Sequence, residues 1–510
     1  MKIPFSLALT LAGFSGFIAL SYEILWARAF SFTAASRPVA FGLMLGSYLF
    51  GLAVGSLVSR RWQDRYADRA AAFQILSRLF VASNLLALLV MPLMSWAVVF
   101  THWAVSLPLV VLGATLLGSI LPLLCHTAIS PDDNAGSRTS YIYIANIIGS
   151  GAGSLLTGFI LFEHLSITVI PSVLLIVALA LGLTLALFTR RTRADYVLWT
   201  VAALLLVLSP WLHRHLFERL QFRDAYFSTP PFERIVETRH GVITIDRDKV
   251  IYGGGIYDGK IETDPFLGGG LVRPYFISAL HAAPRDILVI GLSGGAWTQI
   301  LAHHPQCERI TVVEINPGYL EVIAAYPEVS SLLNNPKVEI VIDDGRRWLR
   351  RNPHRRFDVV VMNTSFHWRE FASALLGVEF LELVKSRLAP RGIVMWNCTG
   401  SLRAEATGAS VFPHTIMVSN HCVASTSPIE INVDRWRAAL SLYQIDDKSV
   451  FDATLLESFL AQGGADSPTR IWHPRDERRH ASQVPITDDN LGEEYAFQLG
   501  VSVFLRKLTP

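Results

Sequence analysis

The stretch Asp286-Ile-Leu-Val-Ile-Gly291, followed at once by Leu292-Ser-Gly-Gly295, decides the fold of the carboxyl-terminal part of this chain. Four apolar residues in a row, without polar alternation and closed by a glycine turn, read as a strand buried on both faces. The same rhythm repeats downstream. A helical stretch at 296–303 leads to a second strand, Arg309-Ile-Thr-Val-Val-Glu314, and one at 317–326 to a third, Val338-Glu-Ile-Val-Ile342. Helical residues 345–351 precede a fourth strand, Phe357-Asp-Val-Val-Val-Met362, and 371–388 precede a fifth, Gly392-Ile-Val-Met-Trp396. Apolar strands alternating with helices make a parallel sheet covered on both faces. Upstream, Gly241-Val-Ile-Thr-Ile-Asp246 alternates, and Gly253-Gly-Gly255 and Asp258-Gly259 mark turns, so residues 213–285 read as a small β-rich lead-in to a domain at 286–510.

The first 212 residues are a different material. The chain of 510 residues is 51% hydrophobic and 17% charged, with a formal net charge of +2. Residues 1–212 hold 12 Lys+Arg and 7 Asp+Glu, against 32 and 35 in the rest. Seven apolar runs, at roughly 5–32, 38–58, 73–100, 103–129, 139–163, 166–188 and 195–212, approach the length needed to cross a bilayer. Residues 1–212 therefore read as a transmembrane helical bundle, with lipid as its partner. Arg60, Arg61, Arg65 and Arg69, and then Arg190, Arg191 and Arg193, set the cytoplasmic side. Seven crossings would put residues 213–510 outside, whereas the nucleotide-type substrate expected from the motifs described below is cytoplasmic. The expectation is thus a multi-pass inner-membrane protein with one run not crossing, the short 195–212 segment or a miscounted one, and a cytoplasmic catalytic domain.

Gly42-x-x-x-Gly46, Gly51-x-x-x-Gly55 and Gly149-x-x-x-Gly153 are close-packing signals, within one bundle or in a homodimer. Glu23, Asn84, His102, His126 and Asn146 are polar groups at membrane depth; for Glu23, pairing with Arg28 or a neighbouring helix competes with a functional role. Cys125, Cys307, Cys398 and Cys422 show no metal or disulfide spacing. No metal is expected, and the balanced charge gives no basis for nucleic-acid binding.

In a parallel sheet, ligands sit at the carboxyl ends of the strands. Gly291, Ser293 and Gly295 form a glycine loop there, Glu314 ends the second strand, and Asp343-Asp344-Gly345 follows the third. A glycine loop admits a close ligand, a strand-end carboxylate accepts ribose hydroxyls, and the two acids suit an adenine amino group or a helix N-cap. Together they describe the adenosine pocket of a Rossmann-like, S-adenosylmethionine-type domain.

Residues of about 230–400 resemble the spermidine synthase (aminopropyltransferase) family, in particular its membrane-fused branch. The resemblance rests on Tyr257-Asp-Gly-Lys260 with Asp264, on Tyr275 and His281, and on Val289-Ile-Gly291 to Gly295. Val313-Glu-Ile-Asn-Pro317 and Asp343-Asp-Gly345 extend it, and Ser21-Tyr-Glu-Ile-Leu-Trp26 and Ile486-Thr-Asp-Asp-Asn490 look like the membrane-fused members. It implies that Glu314 binds the ribose and Asp344 the adenine side, and that Tyr257, Asp264, Tyr275 and His281 contact substrate. S-adenosylmethionine or its decarboxylated form would be the nucleoside, with no other cofactor.

Three departures matter. Where family members end the fourth strand with an aspartate that deprotonates the acceptor amine, this chain has Asn363, the acid common in the glycine loop is missing from Leu292-Ser-Gly-Gly295, and the usual glutamine after Asp-Gly is Lys260. A positioned base is worth roughly 10²–10⁴ in rate. Asn363 cannot be one, although His367 could substitute, and Trp368 could wall the sulfonium. The favoured expectation is therefore a lyase. The carboxylate of S-adenosylmethionine would attack its own γ-carbon, releasing methylthioadenosine and homoserine lactone, with Lys260 selecting that carboxylate. Aminopropyl transfer is the alternative, followed by a nucleoside-sensing transporter and a methyltransferase.

Overall fold

The computed structural model describes residues 4–65, 69–267, 270–363, 367, 369–461, 471–480 and 482–496. The chain separates into two units, residues 1–232 with 237–239, and residues 233–236 with 240–510.

In the first unit, six described helices are long and apolar enough to cross a membrane: Phe5–Thr33, Pro38–Arg61, Ala71–Phe100, Trp103–Ala128, Ala135–His164 and Arg193–Leu212. The run expected at 166–188 is a shorter helix, Ile170–Ala186, of 17 residues. At about 1.5 Å per residue it reaches about 26 Å, a little under the hydrocarbon thickness of about 30 Å. The run at 195–212, expected to be the short one, is instead a 20-residue helix. It is opened by a Thr192/Asp195 capping box, and Arg78 Nε reaches Asp195 Oδ1 at 2.6 Å.

Glycines set the helix approaches. A Cβ on Gly149 would lie 1.8 Å from the Gly13 carbonyl oxygen, and one on Gly153 2.3 Å from that of Phe17. Likewise a Cβ on Gly55 would lie 2.0 Å from the Thr115 carbonyl oxygen. Two of the three small-residue motifs thus pack inside the bundle, whereas Gly42 and Gly46 have nothing within 4 Å of a built Cβ. Asn146 Nδ2 donates to the Ala12 carbonyl between helices, and Asn84 to Phe80 of its own helix. Glu23 is buried, and no ion pair of it occurs among the described residues; Arg28 lies over the Phe162 ring, 3.8 Å from its centroid.

The second unit begins with a four-stranded sheet in the order β1-β2-β3-β4, formed by Arg234–Thr238, Gly241–Ile245, Val250–Gly253 and Ile256–Lys260. The lead-in is less β-rich at its start than expected: Leu216–Phe222, which the domain division places in the first unit, is helical. Strands β5 (Asp286–Ile290), β6 (Arg309–Glu314), β7 (Val338–Ile342), β8 (Phe357–Met362) and β9 (Leu388–Asn397) then pair in parallel in the order β9-β8-β5-β6-β7. Chain order reverses between β5 and β8, which opens a crevice at their carboxyl ends. Both faces are covered. Ile287 and Val289 join one core with Tyr275, Val312 and Val361, whereas Leu288 and Ile290 join another with Val360, Phe380 and Val394. That is why these strands lack polar alternation.

Beyond β9 the sheet turns antiparallel, through β10 (His414–Val418) and β11 (His421–Ser425); a separate two-residue hairpin, β12–β13, follows at Gln444–Ile445 and Lys448–Ser449, and β14 (Trp472–Pro474) is the outer strand. The sequence reading did not contain this extension. It matters because β11 runs back along β9 with His421 opposite Asn397. His421 therefore sits level with the carboxyl ends of the parallel strands.

Candidate active site

The glycine loop after β5 folds under the lead-in sheet. Gly291 and Gly295 have φ of 90° and 79°, where a side chain is strained. Gly294 is held by proximity instead, since a Cβ there would lie 2.2 Å from Ile251 Cδ1. Ser293 adopts a left-handed φ of 49° although it is not glycine, and its Oγ donates to the Asp258 carbonyl at 2.5 Å. The loop is thereby fastened to β4.

Glu314 closes the other side. It is 4% exposed, its Oε2 accepts the Leu292 N–H at 2.7 Å and its Oε1 the Asn316 N–H at 2.7 Å. One carboxylate thus braces the loops after β5 and β6. Burial pushes its pKa up to about 7, against the pull of the two N–H donors. Asp344 is the N-cap of the helix Gly345–Arg351, accepting the Arg347 N–H at 2.7 Å. Asp343 pairs with the Arg347 side chain. A Cβ on Gly345 would lie 2.7 Å from Ile290 Cγ2, so this helix start packs directly onto β5.

Next to the loop lies a cavity of about 130 Å³, to which Tyr257, Lys260, Ser293 and Asn363 all contribute. Those four expected residues come together. Gly291 and Gly295 belong to the loop itself, Glu314 braces it, and Asp343, Asp344 and Gly345 follow β7. Four others lie elsewhere. Asp264 lines a different groove with Glu262 and Asp446. Tyr275 is fully buried, its hydroxyl donating to the Thr263 carbonyl at 2.8 Å and its ring against Tyr443 and Phe451. His281 caps the helix Val272–Leu280 just before β5 and feels Asp358 at the start of β8, so it belongs to the amino ends of the strands, opposite the crevice. His367 is buried, with Nδ1 donating to the Thr399 carbonyl at 3.0 Å, and does not line the cavity. Trp368 lies outside the described residues. Ile486-Thr-Asp-Asp-Asn490 braces the domain, with Arg346 Nη1 2.7 Å from Asp488 Oδ1.

The cavity holds residues that the sequence reading missed: Arg273, Asn397, Asn420 and His421. Burial, then the nearby Arg273 charge, holds His421 well below the usual histidine range, so its imidazole is neutral. Its Nδ1 faces Asn420 Oδ1 at 3.0 Å, an acceptor, which leaves Nε2 without a proton. Asp258 is engaged by Tyr319 Oη and by Arg369, whose Nη1 is 3.4 Å from Oδ1.

A glycine loop at the switch point of a parallel sheet, a buried acid ending the next strand and a capped helix after the third define a Rossmann-type domain. The family described as "Spermine/spermidine synthase domain" matches residues 276–404. Residues 276–404 are thus similar to a spermidine synthase domain. A polyamine aminopropyltransferase of Mycobacterium tuberculosis is 26% identical over 300 residues, covering 55% of this chain and 56% of the relative. Polyamine aminopropyltransferase 2 of Streptomyces coelicolor is 24% identical over 401 residues, covering 73% of this chain and 70% of the relative. A solved spermidine synthase in complex with the transition-state analogue AdoDATO is 18% identical, with a TM-score of 0.34, covering 52% of this chain and 88% of that one. The chain spans about half the length of the first curated relatives it matches.

Proposed function

We propose that the second unit binds a sulfonium nucleoside of the S-adenosylmethionine type and transfers its alkyl arm to an amine, releasing methylthioadenosine. The observation that carries this reading is Glu314, a buried carboxylate at the end of β6 that holds the loops after β5 and β6 through the Leu292 and Asn316 N–H groups. The named relatives are aminopropyltransferases, so transfer has more support than the lactone-forming cleavage first read from Asn363. In the transfer, the amine lone pair attacks the carbon beside sulfur. The carbon–sulfur bond breaks with its electrons on sulfur, and the amine loses one proton. Asn363 can orient the amine through its amide oxygen but cannot take that proton. We assign the proton to His421 Nε2, the unprotonated nitrogen of the imidazole lining the cavity.

The apolar unit is read as membrane-spanning, on the length and composition of its helices. A nucleoside substrate favours a cytoplasmic catalytic domain; a reporter fused after Pro510 that works only outside the cytoplasm overturns that side.

The test of function is product analysis on purified protein supplied with S-adenosylmethionine or its decarboxylated form, each with and without an amine acceptor (a diamine or an amino-acid amine). Methylthioadenosine together with an alkylated amine is the expected result. Methylthioadenosine without any amine restores the lyase, S-adenosylhomocysteine from S-adenosylmethionine points to methyl transfer, and an intact bound nucleoside points to a sensor.

A further inference from the structure

The cavity beside the glycine loop has the wrong charge for a polyamine. Three of its lining side chains carry formal charge: Lys260, Arg273 and Asp258. The Asp258 carboxylate is already engaged by Arg369 and the Tyr319 hydroxyl. Arg273 faces the Trp297 ring, 5.7 Å from its centroid. No acidic side chain lies within ion-pair distance of Arg273 or Lys260 among the described residues. Arg273 Nε is buried without a hydrogen bond. Lys260 Nζ donates to the Leu267 carbonyl at 3.2 Å. The remaining polar groups are neutral: His421 and the amides of Asn363, Asn397 and Asn420. Holding a guanidinium partly out of water without a counter-charge is costly, and an anionic ligand offsets that cost. A second ammonium brought here meets repulsion instead.

We propose that Arg273 and Lys260 form a carboxylate-binding subsite, so that the ligand filling this cavity carries a carboxylate beside the reacting centre. The guanidinium fork matches a carboxylate with two parallel hydrogen bonds, and Lys260 adds a point charge from β4. The carboxylate has two possible carriers: the arm of S-adenosylmethionine that has not been decarboxylated, or an acceptor amine of amino-acid type. The inference rests on the nucleoside reading above.

The experiment measures binding and turnover of the full chain in detergent, unsubstituted and as Arg273→Met and Lys260→Gln. Donors are S-adenosylmethionine and its decarboxylated form; acceptors are putrescine and ornithine, which differ by one carboxylate. Methylthioadenosine, which has no carboxylate, reports an intact fold and nucleoside site in each variant. Both substitutions are expected to weaken the carboxylate-bearing ligand at least tenfold while the affinity for methylthioadenosine stays within twofold. A loss confined to S-adenosylmethionine places the carboxylate on the donor arm, and a rise confined to the KM of ornithine places it on the acceptor. Efficient use of decarboxylated donor with putrescine, with KM values unmoved in both variants, overturns this inference alone. Failure of the unsubstituted protein to bind methylthioadenosine overturns the nucleoside reading and this subsite with it.

Discussion

The two sides of the cleft are built differently. The nucleoside side is backbone held by backbone: a glycine loop, a capped helix start and one buried acid that accepts an N–H from each of two loops. The arm side is made of side chains from separated segments, Lys260 on β4, Arg273 on the following helix, Asn363 after β8 and His421 on β11. The first side constrains composition tightly, because few residues tolerate those φ values and approaches. The second can change one side chain at a time. Grip on the nucleoside and choice of chemistry are therefore separable, and the variants below probe that separation.

The largest effect is expected from Glu314→Ala. It removes the ribose acceptor and leaves the Leu292 and Asn316 N–H groups unpaired in a buried site. Loss of two proposed contacts to the ribose hydroxyls, about 1–3 kcal/mol each, predicts a fall of about 30-fold or more in methylthioadenosine affinity by calorimetry. A variant that binds normally would merge the two sides into one and break the comparison. Gly295→Ala comes next. Its φ of 79° and a Cβ only 2.9 Å from Ile323 Cδ1 predict a loss of about 2 kcal/mol, read as a fall in thermal unfolding temperature.

The third prediction is a pH dependence. Glu314 titrates near 7 in the ligand-free fold, above its ordinary 4.5, and its ionised form is the one that accepts ribose hydroxyls. Methylthioadenosine affinity should therefore fall about tenfold as pH drops from 8 to 6. The same shift makes ionisation costly to the empty domain, so its stability should decline as pH rises from about 4.5 to about 7. A flat binding profile means that a group other than Glu314 holds the ribose. The smallest effect separates two roles of Asp344. Asparagine caps a helix as well as aspartate does. Asp344→Asn should leave stability unchanged and weaken nucleoside binding a few-fold if the free carboxylate oxygen accepts from adenine. Equal affinity assigns Asp344 to the helix alone.

Legibility in the sequence follows the same division. The parallel strands, the glycine loop and Glu314 could be read because burial on both faces and tight turns each restrict residue choice over several consecutive positions. Arg273 and His421 could not. They reach the cavity through the approach of a helix and a hairpin far apart in the chain, and neither sits in a local pattern. For His421 a faint signal exists: Ser419-Asn420 separates two short apolar runs, as a two-residue hairpin turn does. Tyr275 and His281 show the converse error. Both residue types carry chemistry, but spacing alone does not say that one is sealed in an aromatic cluster and the other lies at the far end of the sheet. Which of the seven runs is the short one was misjudged for a related reason, since hydropathy marks apolar runs but not where a helix begins and stops.

The hairpin β10–β11 has a consequence for how such a domain can diversify. Neighbouring residues of a strand project to opposite faces, so lengthening the Ser419-Asn420 turn by one position would rotate the imidazole out of the cavity and present its neighbour instead. A single inserted codon at a surface turn could in this way exchange one reaction partner for another while the purine grip, three strands away, stays untouched.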